Sequence, residues 1–140
     1  YLAMYFADTA IVVVNPEVSS VRDSDRILGL LDSKTRKAEN GEDLKPHLLL
    51  TRYSPSRVES GEMLSIKDVE EVLGLKTLGV IPESGDVLNA SNKGEPVILE
   101  LESIAGQAYD DAVGRLLGEE RPMRFTTVEK KGFFSKLFGG

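Results

Sequence analysis

The sequence predicts an α/β fold: the C-terminal part of a doubly wound, mostly parallel sheet with helices on both faces, followed by an amphipathic helix. Three observations predict it. Residues 10–14, Ala-Ile-Val-Val-Val, form an unbroken, mostly β-branched run, the pattern of a strand buried on both faces of a parallel sheet. Strand-like runs then alternate with helix-period segments, which is the order of βαβ units joined by right-handed crossovers. Finally, three strands are fewer than the roughly five or six of the common doubly wound orders, and residues 1–7 read as the last turns of a helix. The chain is therefore expected to be part of a larger domain.

The elements follow in order. The first strand ends at Asn15-Pro16-Glu17, where proline stops the ladder. Ser20 with Asp23 three residues on predicts a capped helix start, and Val21, Ile27, Leu28, Leu30 and Leu31 give a helical stripe to about Ser33. Residues 34–45 are polar, contain Asn40-Gly41 and read as a surface loop. Residues 47–52 predict the second strand, and 53–61 a polar, proline-containing loop. Ser65 and Asp68 open a helix with Ile66, Val69, Val72 and Leu73 on one face and Gly74 as its stop. Residues 77–81 are the third strand, cut off by Pro82. A short helix over 86–91, a turn at 93–96 and a longer helix over 103–117 follow, the last with Ile104, Ala108, Ala112, Val113, Leu116 and Leu117 facing inward. This assigns 1–117 to the α/β unit, 118–127 to a linker and 128–140 to the amphipathic helix.

Composition narrows the function. With 140 residues, 41% hydrophobic and 29% charged, the chain suits one packed domain and excludes a disordered or low-complexity polymer. No apolar run reaches the roughly 18–20 residues of a spanning helix. The absence of cysteine removes disulfides, thiolate metal sites and a cysteine nucleophile. The single histidine, His47, opens a strand and reads as structural, so no zinc site of ordinary type is expected. Asp110-Asp111 and Glu70-Glu71 are neighbours on helices, point to different faces and read as solvated surface. The net charge of −6 divides into +3 over residues 124–140 and −9 over residues 1–123. So acidic a body speaks against nucleic-acid binding.

Two regions carry candidate chemistry. Ligands of open parallel sheets sit beyond the carboxyl ends of the strands, and those ends are polar here: Asn15-Pro16-Glu17, Thr51-Arg52 and Pro82-Glu83. A guanidinium leaving a buried strand can stack on a purine ring. Neither G-x-x-x-x-G-K-[ST] nor G-x-G-x-x-G occurs, so these residues hold no phosphate loop. In the tail, helical spacing puts Phe133, Phe134, Leu137 and Phe138 on one arc, flanked by Lys131 and Lys136. That is the pattern of an interfacial helix whose apolar side chains enter the acyl boundary while lysines meet anionic headgroups.

Six runs in fixed order then point to a family: Asn-Pro-Glu-Val-Ser-Ser-Val-Arg-Asp-Ser-Asp-Arg (15–26), Leu-Leu-Thr-Arg-Tyr (49–53), Gly-Val-Ile-Pro-Glu (79–83), Ala-Ser-Asn-Lys-Gly-Glu-Pro-Val-Ile (90–98), Leu-Leu-Gly-Glu-Glu-Arg-Pro (116–122) and the Lys-Lys-Gly-Phe start and Leu-Phe-Gly-Gly end of 130–140. The chain closely resembles the MinD/ParA family of deviant-Walker ATPases over essentially its whole length. The resemblance implies a P-loop NTPase sheet whose phosphate loop lies outside these residues, so that they alone are expected to be inactive. It also implies an ATP-dependent regulator of division-site placement that dimerises with ATP, recruits the septum inhibitor MinC and is released from the cytoplasmic face of the inner membrane by MinE-stimulated hydrolysis. Thr51, Arg52, Pro82 and Glu83 would line the adenine pocket, with magnesium ligands outside these residues. Glu17, Ser19, Asp23 and Asp25 would lie near the dimer and partner face. Lys131, Phe133, Phe134, Lys136, Leu137 and Phe138 would form the membrane anchor. Thr51 and Ser84 stand where many members carry Asn and Asp. A ParA-like partition ATPase, disfavoured by the acidic body, and a non-enzymatic membrane-tethered adaptor are the alternatives.

Overall fold

The computed structural model describes residues 2–128. In chain order come α1 (Leu2–Tyr5), β1 (Thr9–Val14), α2 (Val18–Ser33), α3 (Arg36–Glu39), β2 (Lys45–Tyr53), α4 (Pro55–Glu59), α5 (Ile66–Leu73), β3 (Thr77–Pro82), α6 (Gly85–Lys93), a 3-10 turn (Val97–Leu99) and α7 (Ile104–Leu116). The tail residues Lys131, Phe133, Phe134, Lys136, Leu137 and Phe138 lie outside the described residues.

The strands form one parallel sheet in the order β1-β2-β3, with Val12 beside Leu48, Val14 beside Leu50 and Leu49 beside Gly79. Side chains alternate across a strand, so β2 feeds two cores. Leu48 and Leu50, with Val12 and Val14, pack against Val21, Leu28 and Leu31 of α2 and Val69 and Leu73 of α5. Leu49 turns to the opposite face, where Ile81, Ala90, Val97, Ala105 and Ala108 form a second core with α6 and α7. Leu48, Leu50 and Val14 are fully buried, and each such side chain contributes roughly 1.5–3 kcal/mol. Helices thus cover both faces of a parallel sheet, as the alternation of elements predicts.

The expected capping of α5 is present in full. The Ser65 hydroxyl accepts from the Asp68 N–H at 3.1 Å, and the Asp68 carboxylate accepts from the Ser65 N–H at 3.0 Å. Gly74 closes the helix in the left-handed conformation, at φ 65°.

Several elements differ from expectation. β1 is not buried on both faces: Ile11 is 44% and Val13 58% exposed, because α7 packs on β3 and the second core ends at Leu49 of β2. Ser20 does not cap α2, which starts at Val18 after Glu17. The Ser20 hydroxyl instead accepts from the Asn15 N–H at 3.1 Å, closing the turn that leaves β1. The loop expected over 34–45 contains α3, capped by buried Thr35, and delivers the buried Leu44 to the core. Pro55 starts α4 inside the loop expected over 53–61, at the helix position proline favours. On α7 only Ala108 and Ala112 of the predicted inward set are buried. Ile104, Val113, Leu116 and Leu117 are exposed, and Ala105, Gly106 and Gly114 take the inner face. Small residues win there because the helix lies close to its neighbours. A Cβ at Gly106 would meet the Val97 carbonyl oxygen at 2.5 Å and that of Glu100 at 2.8 Å.

Candidate functional site

The topology brings the three polar strand ends together. The Thr51 hydroxyl donates to the Asn15 carboxamide oxygen at 2.9 Å, joining the ends of β1 and β2. Beyond the sheet register, the Glu83 N–H donates to the Tyr53 carbonyl at 2.9 Å, joining β2 to β3. Arg52 has φ 56°, a left-handed conformation that costs a non-glycine residue on the order of 1–2 kcal/mol. Such conformations concentrate at functional sites. Its guanidinium lies 3.6 Å from the Glu83 carboxylate. Both side chains are largely in water, so the pair contributes no more than about 1 kcal/mol. Pro82 and Glu83 then leave β3, and the Ser84 hydroxyl caps α6 by accepting from the Asp86 N–H at 3.2 Å.

Pro82 and Glu83 separate two clefts. One, of about 530 Å³, lies on the Arg52 side and is bounded by Ile81, Leu88 and Tyr109. The other, of about 270 Å³, is a slot between Tyr53, Ser54 and Pro55 on one hand and Ile104, Phe125 and Thr127 on the other. Its walls are mostly apolar. Burial pushes the Tyr53 hydroxyl above its ordinary pKa. Thr51 lines neither cleft; it holds Asn15. Arg52, Pro82 and Glu83 meet along the first cleft.

Sequence reasoning missed the slot's outer wall. Phe125 and Thr127 belong to the stretch after α7, whose only sequence signals were its run of charges and Pro122. That stretch is fastened to α7 by ion pairs. Asp111, 6% exposed, accepts from Arg124 Nε at 2.7 Å through Oδ2 and from Arg121 Nη1 at 3.4 Å through Oδ1. Its expected place on solvated surface is therefore overturned, because Arg121 and Arg124 return across the helix and cover it. Burial pushes the Asp111 carboxyl up, but the hydrogen bond and charge of Arg124, helped by Arg121 and Arg115, outweigh it and hold the group below the usual carboxylate range. Arg121 also pairs with Asp110 at 2.6 Å and Glu119 at 2.7 Å. Glu70, on α5 at the other face of the sheet, is likewise engaged, accepting from the Thr77 N–H at 2.8 Å.

The residues expected at a partner face lie elsewhere. Glu17, Ser19 and Asp23 line a groove of about 730 Å³ floored by the open side of β1, with Ile11 and Val13. Asp25 is exposed on the same helix but does not line that groove.

Among the described residues no group of three or more His, Cys, Asp or Glu side chains is placed to hold a metal ion. The slot has the chemistry for a flat ring, with mostly apolar walls that include the Tyr53 and Phe125 side chains, and the residues present fit the base end of a nucleotide.

No protein-family model matches the chain. It is 66% identical over 140 residues, 99% of its length, to the septum site-determining protein MinD of Escherichia coli K12, and spans about half the length of that relative, 52%. Among solved structures it is similar to the MinD cell division protein of Aquifex aeolicus, with 37% identity and a TM-score of 0.78 over 88% of this chain and 49% of that one. The same protein in its complex with MinC gives 38% identity and a TM-score of 0.75, over 84% and 46%. The MinD of Pyrococcus horikoshii, solved with Mg-ADP, shares the fold at 24% identity and a TM-score of 0.63, over 80% and 43%. The fold is that of the MinD/ParA ATPases.

Proposed function

We propose that this chain is the C-terminal part of a MinD-type ATPase, an ATP-dependent regulator of division-site placement that works at a membrane surface. The identity to MinD along nearly the whole chain carries the reading. The uncovered Ile11 and Val13 on β1 support it, since a two-sided sheet continuing past β1 would bury them.

In this reading the strand ends supply the base end of an ATP site. Pro82 and Glu83 border it, and Arg52 lines the adjoining cleft while pairing with Glu83. Thr51 fixes the β1–β2 turn through Asn15. The base enters the slot beside Tyr53 and Pro82, where Phe125 offers an aromatic face. ATP, when bound, would supply the energy of the switch through its binding and hydrolysis, with Pro82, Glu83 and Tyr53 of this chain holding its base end.

Glu17, Ser19, Asp23 and Asp25 present the face toward the second copy and toward MinC, and MinE-stimulated hydrolysis reverses the assembly. The tail residues Lys131, Phe133, Phe134, Lys136, Leu137 and Phe138 bind anionic lipid peripherally, at the cytoplasmic face of the inner membrane. No helix among the described residues is long and apolar enough to cross a bilayer. Each lysine near an anionic surface adds roughly 1 kcal/mol, so one tail binds weakly and two joined by dimerisation bind with avidity.

The test is co-sedimentation of the full-length protein with vesicles containing phosphatidylglycerol, with and without ATP. Deleting residues 128–140 is expected to abolish ATP-dependent sedimentation. Unchanged sedimentation of the deleted form overturns the membrane assignment.

A further inference from the structure

We propose that Asp111 is a positioning residue for the base site: by clasping Arg121 and Arg124 it seats residues 121–127 so that Phe125 and Thr127 wall the slot beside Tyr53 and Pro82. The inference rests on the reading of that slot as the base site.

The stretch after α7 contains no helix or strand up to residue 128, so side chains must hold it in place. Both oxygens of the Asp111 carboxylate are engaged, one by each arginine. Arg115 adds a second fastening. It donates from Nε to the Arg121 carbonyl at 3.0 Å, from Nη2 to the Pro122 carbonyl at 2.7 Å and from Nη1 to the Leu78 carbonyl of β3 at 2.9 Å. Gly114 leaves open the space that the Arg121 side chain fills. At the end of this seat the chain turns through a left-handed residue, Phe125 at φ 61°, and the ring reaches the second core while bordering the slot. The Arg124 guanidinium, held by Asp111, lies 5.0 Å from the centroid of that ring. One buried carboxylate therefore fixes the residue before Phe125 and, through it, the aromatic wall. Removing the carboxylate charge frees the Arg124 Nε, while Arg121 stays held by Asp110 and Glu119, so the wall loses its anchor at the residue directly before Phe125.

The test uses the full-length protein with two probes, Mg-ATP and Mg-tripolyphosphate, the second having phosphates and no base. The variants are Asp111→Asn, Arg124→Gln and Phe125→Ala. Each is expected to weaken ATP binding about tenfold, the scale of one base–aromatic stack, and to leave tripolyphosphate binding unchanged. The double variant Asp111→Asn/Phe125→Ala is expected to be no weaker than Phe125→Ala alone, since both changes remove the same wall. Parallel loss of ATP and tripolyphosphate binding in Asp111→Asn and Arg124→Gln would show a merely structural role and overturn the proposal. So would unchanged ATP binding in those two variants. Should Asp111→Asn fail to fold, the partly exposed Arg124→Gln decides alone. A wild-type protein that binds tripolyphosphate as tightly as ATP, or a Phe125→Ala protein that binds ATP normally, overturns the base-slot reading itself.

Discussion

Gly79 of β3 and Ala112 of α7 meet so closely that a Cβ at position 79 would lie 2.6 Å from the Ala112 Cβ and 3.0 Å from Leu49 Cδ1. This approach sets α7 against the sheet, and with it the Arg115 and Asp111 side chains that hold the following segment. Gly79→Ala is therefore expected to force helix and strand apart at a cost of about 1–3 kcal/mol. A denaturant midpoint of the full-length protein within error of wild type would refute the close packing.

Helix α5 owes its start to a reciprocal cap. Ser65→Ala removes the acceptor for the Asp68 N–H and is expected to cost about 1 kcal/mol. The loss should appear in native-state hydrogen exchange as faster exchange in the first turn of α5, with the β2 amides protected as before.

Arg52 separates stability from binding. Its left-handed φ of 56° suits glycine, and its pair with Glu83 is solvent-screened. Arg52→Gly is expected to leave the unfolding midpoint within about 1 kcal/mol of wild type, or to raise it. The same change is expected to weaken ATP binding. Loss of stability with normal ATP binding would be the contrary result.

Acid should unseat the segment after α7 late. The Asp111 carboxyl titrates below its unfolded value, so between the two pKa values the unfolded chain binds more protons than the native one. Stability from this group is complete above the unfolded aspartate pKa of roughly 3.9 and is lost as pH falls through the lower native one. Trypsin-like cleavage after Arg124, normalised at each pH to the rate on a short unstructured arginine peptide, should stay slow from neutral pH down to about pH 5. Cleavage that accelerates near pH 6 would contradict the clasp.

Much of the fold is legible in the sequence because it rests on local signals. The apolar runs at 10–14 and 77–81 mark strands, the Ser65–Asp68 pair and Gly74 mark the ends of α5, and polar residues after each strand mark the edge where ligands gather. The inner face of α7 was not legible in the same way. Hydrophobic periodicity finds the face that covers most area, but this helix sits close to β3 and the 3-10 turn, where only alanine and glycine fit. Ile104 and Val113 consequently remain exposed while Asp111 is covered.

By itself, then, the sequence determined the order of helices and strands, the polar strand ends and the family likeness, because each is written in neighbouring residues. Tertiary structure alone decided that Thr51 binds Asn15 and leaves the clefts to Arg52, Pro82 and Glu83, and that Phe125 returns to the strand ends. Those outcomes depend on contacts between residues far apart in the chain, such as Arg124 with Asp111 or Glu83 with Tyr53. Such partners meet only once the strands have paired and α7 has packed on the sheet.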